Sequence, residues 1–261
     1  FIYCNLWSFA TDLPYNYKTL EEIVLKSYQR YSLVGLNDDI LAMLYYQIGR
    51  IYESKHDNFE AINFYNKSIE VFRNSNNIQR IIQAKISIAG CYFDLKDYDK
   101  AEIEYLRIFE ESSKYGFKRR MSACANNLAF LYFLKRDFEN SLKFIEQARL
   151  NGTIVPNINY YQAYIHFKVS DICTVRKELK DLIDNEDDIS TMHSLKLIQS
   201  FANENDKNVE YYMELAIKDF QKLNSKLDIQ LIYEMVLDYY KDRNPQRVKE
   251  LLPEYIKLIR W

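Results

Sequence analysis

Four aspartates, Asp57, Asp97, Asp137 and Asp171, stand 40, 40 and 34 residues apart, and Asn205 and Asn244 extend the series by 34 and 39. Each falls at the same point of a recurring pattern. Eight residues before the aspartate comes Gly49, Ala89, Ala129 or Ala163, and three after that small residue comes Tyr52, Tyr92, Tyr132 or His166. Four residues past it comes Ala61, Ala101, Ser141 or Val175; four further comes Tyr65, Tyr105, Ile145 or Leu179; three further still comes Ser68, Ile108, Ala148 or Leu182. Steps of three and four residues put these positions on one stripe of a helix. Each period therefore reads as two amphipathic helices with the aspartate between them. A chain built from such periods folds as a stack of like units, and such stacks bind partners more often than they catalyse.

The chemistry of each column follows from its place. Small residues let the two helices of a hairpin approach closely, where a branched side chain would push the axes apart. The aromatic fills the space beside that contact. The aspartate caps the second helix, its side-chain oxygen accepting from a free N–H in the first turn. Asn205 and Asn244 can cap in the same way, and Pro245 follows at a first helical position, where a missing N–H costs nothing.

These columns resemble the tetratricopeptide repeat, the helix–turn–helix unit of 34 residues. The stretches "YYQIGRIYESKHDNFEAINFYNKSIEVF", "SIAGCYFDLKDYDKAEIEYLRIF" and "NNLAFLYFLKRDFENSLKFIEQA" carry the resemblance. It implies an all-α, right-handed superhelical solenoid of antiparallel helix hairpins. Residues 1–36 read as a diverged N-terminal hairpin, 37–150 as three clear units and 151–261 as three degenerate ones, in one continuous domain. In the degenerate stretch Leu197, Val209, Val236 and Val248 replace the small residues, which puts close packing there in question rather than helicity.

Composition narrows the alternatives. Only 5 Gly and 4 Pro occur in 261 residues, which argues against loop-rich or β-hairpin-rich folds. Hydrophobic residues at 48% and charged residues at 28% describe a folded chain rather than a disordered one. No apolar run approaches the ~18 residues of a membrane span, and a net charge of −2 excludes a broad basic field for nucleic acid. The run Lys118-Arg119-Arg120 reads as a solvated helix start, with Gly116 marking a hairpin junction. The acidic stretch Asp184–Asp188 reads as a loop and helix start. Cys4, Cys91, Cys124 and Cys173 lie far apart with no Cys-x-x-Cys, so buried reduced thiols in a cytosolic protein are expected and a zinc site is not. His166 stands in the aromatic column and is expected to pack. No phosphate loop, nucleophile elbow or zinc-protease motif is present, so no enzyme, cofactor or metal is expected. The chain begins at Phe1 rather than Met and reads as a piece of a longer protein.

In a tetratricopeptide stack the first helix of each unit lines the concave side. The expected binding residues are Tyr46, Gln47 and Arg50 in the first clear unit, Phe93 beside Gln83, Ile86, Ser87 and Gly90 in the second, and Asn126, Asn127, Phe130 and Phe133 in the third. The fourth gives Tyr160, Tyr161, Tyr164, Phe167 and Lys168. The aromatic stretch from Phe130 to Phe167 is either a ligand wall or packing between hairpins. An Asn amide both donates and accepts, so it can hold an extended peptide backbone whatever its sequence. The carboxylate clamp of chaperone-binding tetratricopeptide domains is not matched: Asn127 sits at its Asn place, but Ile86, Gly90, Asn157 and Tyr161 occupy the positions of its other groups.

The 40-residue spacing, with "ACANNLAFLY" on a central first helix, looks like the cytosolic peptide-pheromone receptors of Gram-positive bacteria and their phages, among them the Rap phosphatases, the PlcR and NprR regulators and the arbitrium receptors. That resemblance implies a sensor domain that binds a short signalling peptide, with Asn126 or Asn127 on the peptide backbone, possible homodimers, and DNA contact only through a domain outside this chain. The competing expectation is a scaffold that docks a folded protein partner.

Overall fold

The computed structural model describes residues 22, 24–30, 38–152, 158–170 and 172–259. Most of the expected N-terminal hairpin, together with Asp171 and Cys4, lies outside the described residues. Every regular element among the described residues is helical, and twelve helices follow one another from Asp38 to Ile259. The chain divides into two compact units, residues 1–154 and residues 155–261.

Unit 1 carries three hairpins: α1 (Asp38–Ser54) with α2 (Asn58–Asn74), α3 (Ile78–Asp94) with α4 (Tyr98–Lys114), and α5 (Lys118–Leu134) with α6 (Phe138–Leu150). Packing alternates within and between hairpins, α1 on α2, α2 on α3, and onward to α6. The aspartate series does what its chemistry predicts. Asp57, Asp97 and Asp137 cap α2, α4 and α6 by accepting from the N–H groups of Glu60, Lys100 and Asn140 at 3.2, 3.3 and 3.2 Å. Each of these aspartates also closes the preceding helix. Its own N–H donates to the carbonyl of Tyr52, Tyr92 or Tyr132 at 2.9–3.0 Å. That is the six-to-one bond of a left-handed helix stop. One residue thus ends one helix and starts the next, which explains how so short a turn can be repeated.

The residue before each capping aspartate pays the conformational cost of that turn. His56, Lys96 and Arg136 sit at φ 61°, 62° and 61°. A side chain in this region is strained, which is why glycine is the usual occupant. Among the described residues glycine takes a positive φ at Gly116 between α4 and α5, at φ +67°, and at Gly152 after α6, at φ +123°. The low glycine content therefore does not mean an absence of left-handed turns.

The small-residue columns lie at helix contacts. A Cβ added to Gly49 would meet the Tyr65 ring at 2.7 Å, and Ala61, Ala89, Ala101 and Ala129 are all buried. Ser141 replaces an alanine of its column without leaving a polar group unsatisfied, because its hydroxyl donates to the Ala129 carbonyl at 2.8 Å. The aromatic column rests on the second helix. Tyr52 stacks on Phe64 and Tyr132 on Phe144, with centroids 5.4 and 5.6 Å apart, while Tyr92 lies under the Lys100 ammonium at 4.0 Å.

Unit 2 repeats the plan with α7 (Ile158–Val169) and α8 (Ile172–Asp184), α9 (Ile189–Ala202) and α10 (Asp206–Lys222), α11 (Lys226–Tyr240) and α12 (Pro245–Ile259). Asn205 caps α10 through the Asn208 N–H, and Asn244 accepts from the Arg247 N–H at 3.1 Å just ahead of Pro245. Asp188, from the acidic stretch, caps α9 through the Thr191 N–H at 2.8 Å. Leu197, Val209 and Val236 are fully buried at the former small-residue positions. His166 is half-buried and bonds the Glu178 carboxylate, so the place of an aromatic stack is taken by a polar pair. Of the described cysteines, Cys91 and Cys124 are buried, and burial pushes both thiols up to about 12. Cys173 is exposed, contrary to the expectation that all the thiols are buried. No described helix is long and apolar enough to cross a membrane.

Candidate functional site

In unit 1 the first helices α1, α3 and α5 are joined by a chain of side chains. The Tyr46 hydroxyl shares a hydrogen bond with Ser87 at 3.2 Å and accepts from the Gln83 amide at 3.2 Å. The Gln83 carbonyl oxygen in turn accepts from two guanidiniums, Arg80 at 3.1 Å and Arg120 at 3.0 Å. Tyr46, Arg80, Gln83, Ser87 and Arg120 are all half-buried, so this face is partly open. Arg120 corrects a sequence expectation. Lys118 and Arg119 are exposed as a solvated helix start would be, but Arg120 turns inward and reaches across to α3. Its Nε is buried with no hydrogen-bond partner. Burial lowers its pKa below the ordinary arginine value; Tyr46 opposes that shift and the neighbouring Arg119 and Arg80 add to it.

Further along the same helices, Phe93 of α3 and Phe130 of α5 pack at 5.6 Å and remain half-buried, as do Arg50 and Asn127. Asn126 does not share that exposure. It is 8% exposed, and its amide donates to the Ser122 carbonyl of its own helix at 2.9 Å. Gln47 and Phe133 are also interior, at 5% and 1% exposure. The first-helix face of unit 1 therefore offers Tyr46, Arg50, Phe93, Asn127 and Phe130 from the expected set, and withholds Gln47, Asn126 and Phe133.

The aromatic residues of α7 depart further from a ligand wall. Tyr160, Tyr161 and Tyr164 are fully buried, and their hydroxyls end on carboxylates of α11. Tyr160 and Tyr161 both donate to Asp228, the latter at 2.9 Å, and Ser225 donates to the same carboxylate at 2.6 Å. Tyr164 and Lys168 donate to Asp238 at 2.9 and 2.6 Å, with Lys241 adding a third bond at 2.8 Å. Phe167 packs on Phe201 of α9 at 5.7 Å, and Phe201 stacks on Tyr239 of α11 at 4.9 Å. The face is thus filled by its own side chains. Burial and then the Tyr161 and Asp228 charges raise the Tyr160 pKa well above the phenolic range, which fixes it as a donor. Asp238 goes the other way. Burial alone would raise it, but hydrogen bonds from Lys168, Lys241 and Tyr164 outweigh burial and hold it at about 2.

Sequence reasoning missed Arg80 and Arg120 as a pair, although a signal was present. They stand 40 residues apart, one full period, each in the first turn of a first helix. A cation there opposes the helix dipole, so its recurrence asks for a reason beyond helix formation. Among the described residues no group of His, Cys, Asp and Glu is arranged to hold a metal ion.

Comparison with known proteins agrees with this architecture. The tetratricopeptide-repeat pattern matches residues 42–75, which cover most of α1, the turn after it and all of α2. The regulatory protein RapD of Bacillus subtilis (strain 168) is 21% identical over 220 residues, covering 78% of this chain and 60% of RapD. This chain therefore spans less than two thirds of the length of that relative. The structure of aspartyl phosphate phosphatase F from Bacillus subtilis superposes with a TM-score of 0.79 at 13% identity, over 94% of this chain and 66% of that one. The Rap conjugation gene regulator of plasmid pLS20, solved in complex with the Phr* peptide, gives 0.74 at 14% identity, over 98% and 72%. The fold is a tetratricopeptide-like helical repeat.

Proposed function

We propose that this chain is the peptide-binding sensor part of a bacterial or phage quorum-sensing regulator, holding a short signalling peptide on the first-helix face of unit 1. The observation that carries the reading is the half-open strip across α1, α3 and α5. There an unburied amide, Asn127, lies one position from Asn126 on a helix that also presents Phe130 against Phe93. The amide supplies sequence-independent backbone bonds and the rings supply apolar contact. The fold shared with a regulator solved in complex with its peptide points the same way. Binding alters the output by differential affinity: the peptide must favour one arrangement of the hairpins over another. DNA contact, where it occurs, belongs to a part of the protein outside this chain. The reaction implied by the name of the similar phosphatase is the second reading, and a phosphatase assay on an aspartyl-phosphate protein separates the two.

Calorimetry against pools of short extended peptides tests the proposal, with fold checked by circular dichroism. Asn127→Ala should weaken every bound sequence by about 1–3 kcal/mol, because it leaves peptide groups unpaired. Phe93→Ala should change which side chains are preferred. Peptides that bind Asn127→Ala as they bind the parent would remove the amide from the site. Binding of a folded partner but of no peptide would replace the sensor with a scaffold.

A further inference from the structure

Arg80 and Arg120 converge on one neutral acceptor, the Gln83 carbonyl oxygen, from two different helices. Neither forms an ion pair with a carboxylate among the described residues, and Arg119 adds a third cation beside them. Two like charges brought together, half-buried, on one shared acceptor are an arrangement that folding does not favour by itself. The Arg120 Nε is left with no partner. Both arginines also stand in the first turn of their helices, where the helix dipole repels a cation and attracts an anion. The start of α3 is capped by the Asn77 side chain, but the start of α5 has no side-chain cap, and the two guanidiniums beside it face no negative group among the described residues.

We propose that Arg80 and Arg120 form a carboxylate-binding anchor for the ligand of this face. The inference rests on the peptide reading above and gives the peptide a direction. Guanidiniums hold planar carboxylates through paired N–H donors, which suits a peptide's terminal carboxylate or an acidic side chain better than a spherical ion. The anchor lies at one end of α3, about one helix length from the acidic residue that closes it. Asp94 closes α3 fourteen residues after Arg80, which is about 21 Å at the helical rise. Glu53 of α1 lies near that end, its carboxylate accepting from the Tyr65 hydroxyl; burial raises its pKa and the Asp94 charge adds to the rise, against the Tyr65 bond and the Arg50 charge. An extended peptide of about six residues spans that distance, with its negative end at Arg80 and Arg120 and its positive end toward Asp94. The anchor is distinct from the chaperone-type clamp, whose positions this chain fills with Ile86 and Gly90.

The test follows the arginine Nε–H resonances of the full chain by nitrogen-15 NMR. The probes are N-acetyl-trialanine as the free acid and as the amide, N-acetyl-aspartate methylamide, and inorganic phosphate, all at matched ionic strength. The free acid should move the Arg80 and Arg120 signals saturably, and amidation should weaken that response at least tenfold. Arg120→Gln should abolish the response at Arg80 while the circular dichroism stays unchanged, and Arg120→Lys should restore only part of it. A stronger response to the aspartate probe than to the free acid would support the anchor and assign it to an acidic side chain rather than a chain terminus. Equal responses to acid and amide, no response to either, or an equal response to phosphate would overturn it. The two readings can fail separately. Library peptides that bind Arg80→Gln and Arg120→Gln variants as tightly as the parent would remove the anchor and leave the sensor. A library without binders, beside intact responses to the acid probes, would do the reverse.

Discussion

In unit 1 the hydrogen bonds between first helices run through neutral and cationic groups, Tyr46, Ser87, Gln83, Arg80 and Arg120, that stay half-buried. In unit 2 the equivalent bonds end on two carboxylates of α11, and the tyrosines that make them are buried. The hairpin template is common to both, with the same caps and the same two-helix period. Openness is therefore decided by what the first helix can reach, not by the repeat. An acid on the next-but-one first helix closes the face; an amide and a pair of cations leave it waiting for a partner.

The largest effects should come from the column of small residues, which the two units use in opposite senses. Leu197 is fully buried where unit 1 has Gly49, Ala89 or Ala129. Leu197→Ala should therefore cost about 3 kcal/mol by leaving a cavity. Ala129→Leu should cost about 1–3 kcal/mol by overpacking. Urea midpoints measure both. If Leu197→Ala were neutral, unit 2 would be as tightly drawn together as unit 1, and the contrast between the units would lose its packing basis.

Next in size is the carboxylate closure of unit 2. Asp228→Ala leaves the Tyr160 and Tyr161 hydroxyls and Ser225 without their shared acceptor. The expected loss is about 2–3 kcal/mol. Gln83→Ala, the corresponding break in unit 1, should cost under about 1 kcal/mol, since water can reach the half-buried groups it frees. Equal losses at Asp228 and Gln83 would mean that the two faces are closed to the same degree.

Much of this fold was legible because its determinants are local. The capping aspartates, the small residues and the aromatics sit at fixed offsets, and their caps, close contacts and ring stacks fall within one hairpin. The site was less legible because its determinants are not local. Periodicity placed Tyr160, Tyr161 and Tyr164 on the first-helix stripe but could not show that Asp228 and Asp238, some 70 residues on, would meet their hydroxyls. The same limit applies to Asn126. Periodicity put it on the first-helix stripe, but the residue is buried and its amide donates to the Ser122 carbonyl. Arg120 was read with its exposed neighbours as one run, although its 40-residue distance from Arg80 set it apart.

Asp238 separates the units by pH. Its carboxyl is held at about 2 by the bonds from Lys168, Lys241 and Tyr164, below the ordinary aspartate value near 3.9. A depressed folded-state pKa contributes stability that is fully present above the unfolded value and lost as pH falls through the folded one. Asp238→Asn should therefore cost about 1–2 kcal/mol at neutral pH, with its side chain 27% exposed. The gap between parent and variant should narrow below about pH 4 and close near pH 2. Thermal melts across that range check the sign. A gap that widened in acid would show that the ion pairs of Asp238 do not hold unit 2 together.

The smallest predicted effect is the one on which the units should agree. Asp97 of unit 1 and Asn205 of unit 2 cap their second helices through the same bond, to the N–H three residues on, at 3.3 and 3.2 Å. Each follows a residue held in the left-handed region, Lys96 at φ 62° and Glu204 at φ 53°. Asp and Asn are near-equivalent caps, and truncating either to alanine costs about 1 kcal/mol. Asp97→Ala and Asn205→Ala should therefore lower the urea midpoint by similar amounts, while Asp97→Asn should leave it close to the parent. Because both caps are exposed, neither change should alter packing. Unequal losses would mean that the turns are not interchangeable, and the difference between the units would begin at the cap rather than at the first-helix face. A loss on Asp97→Asn as large as that on Asp97→Ala would assign the aspartate a role for its charge beyond capping.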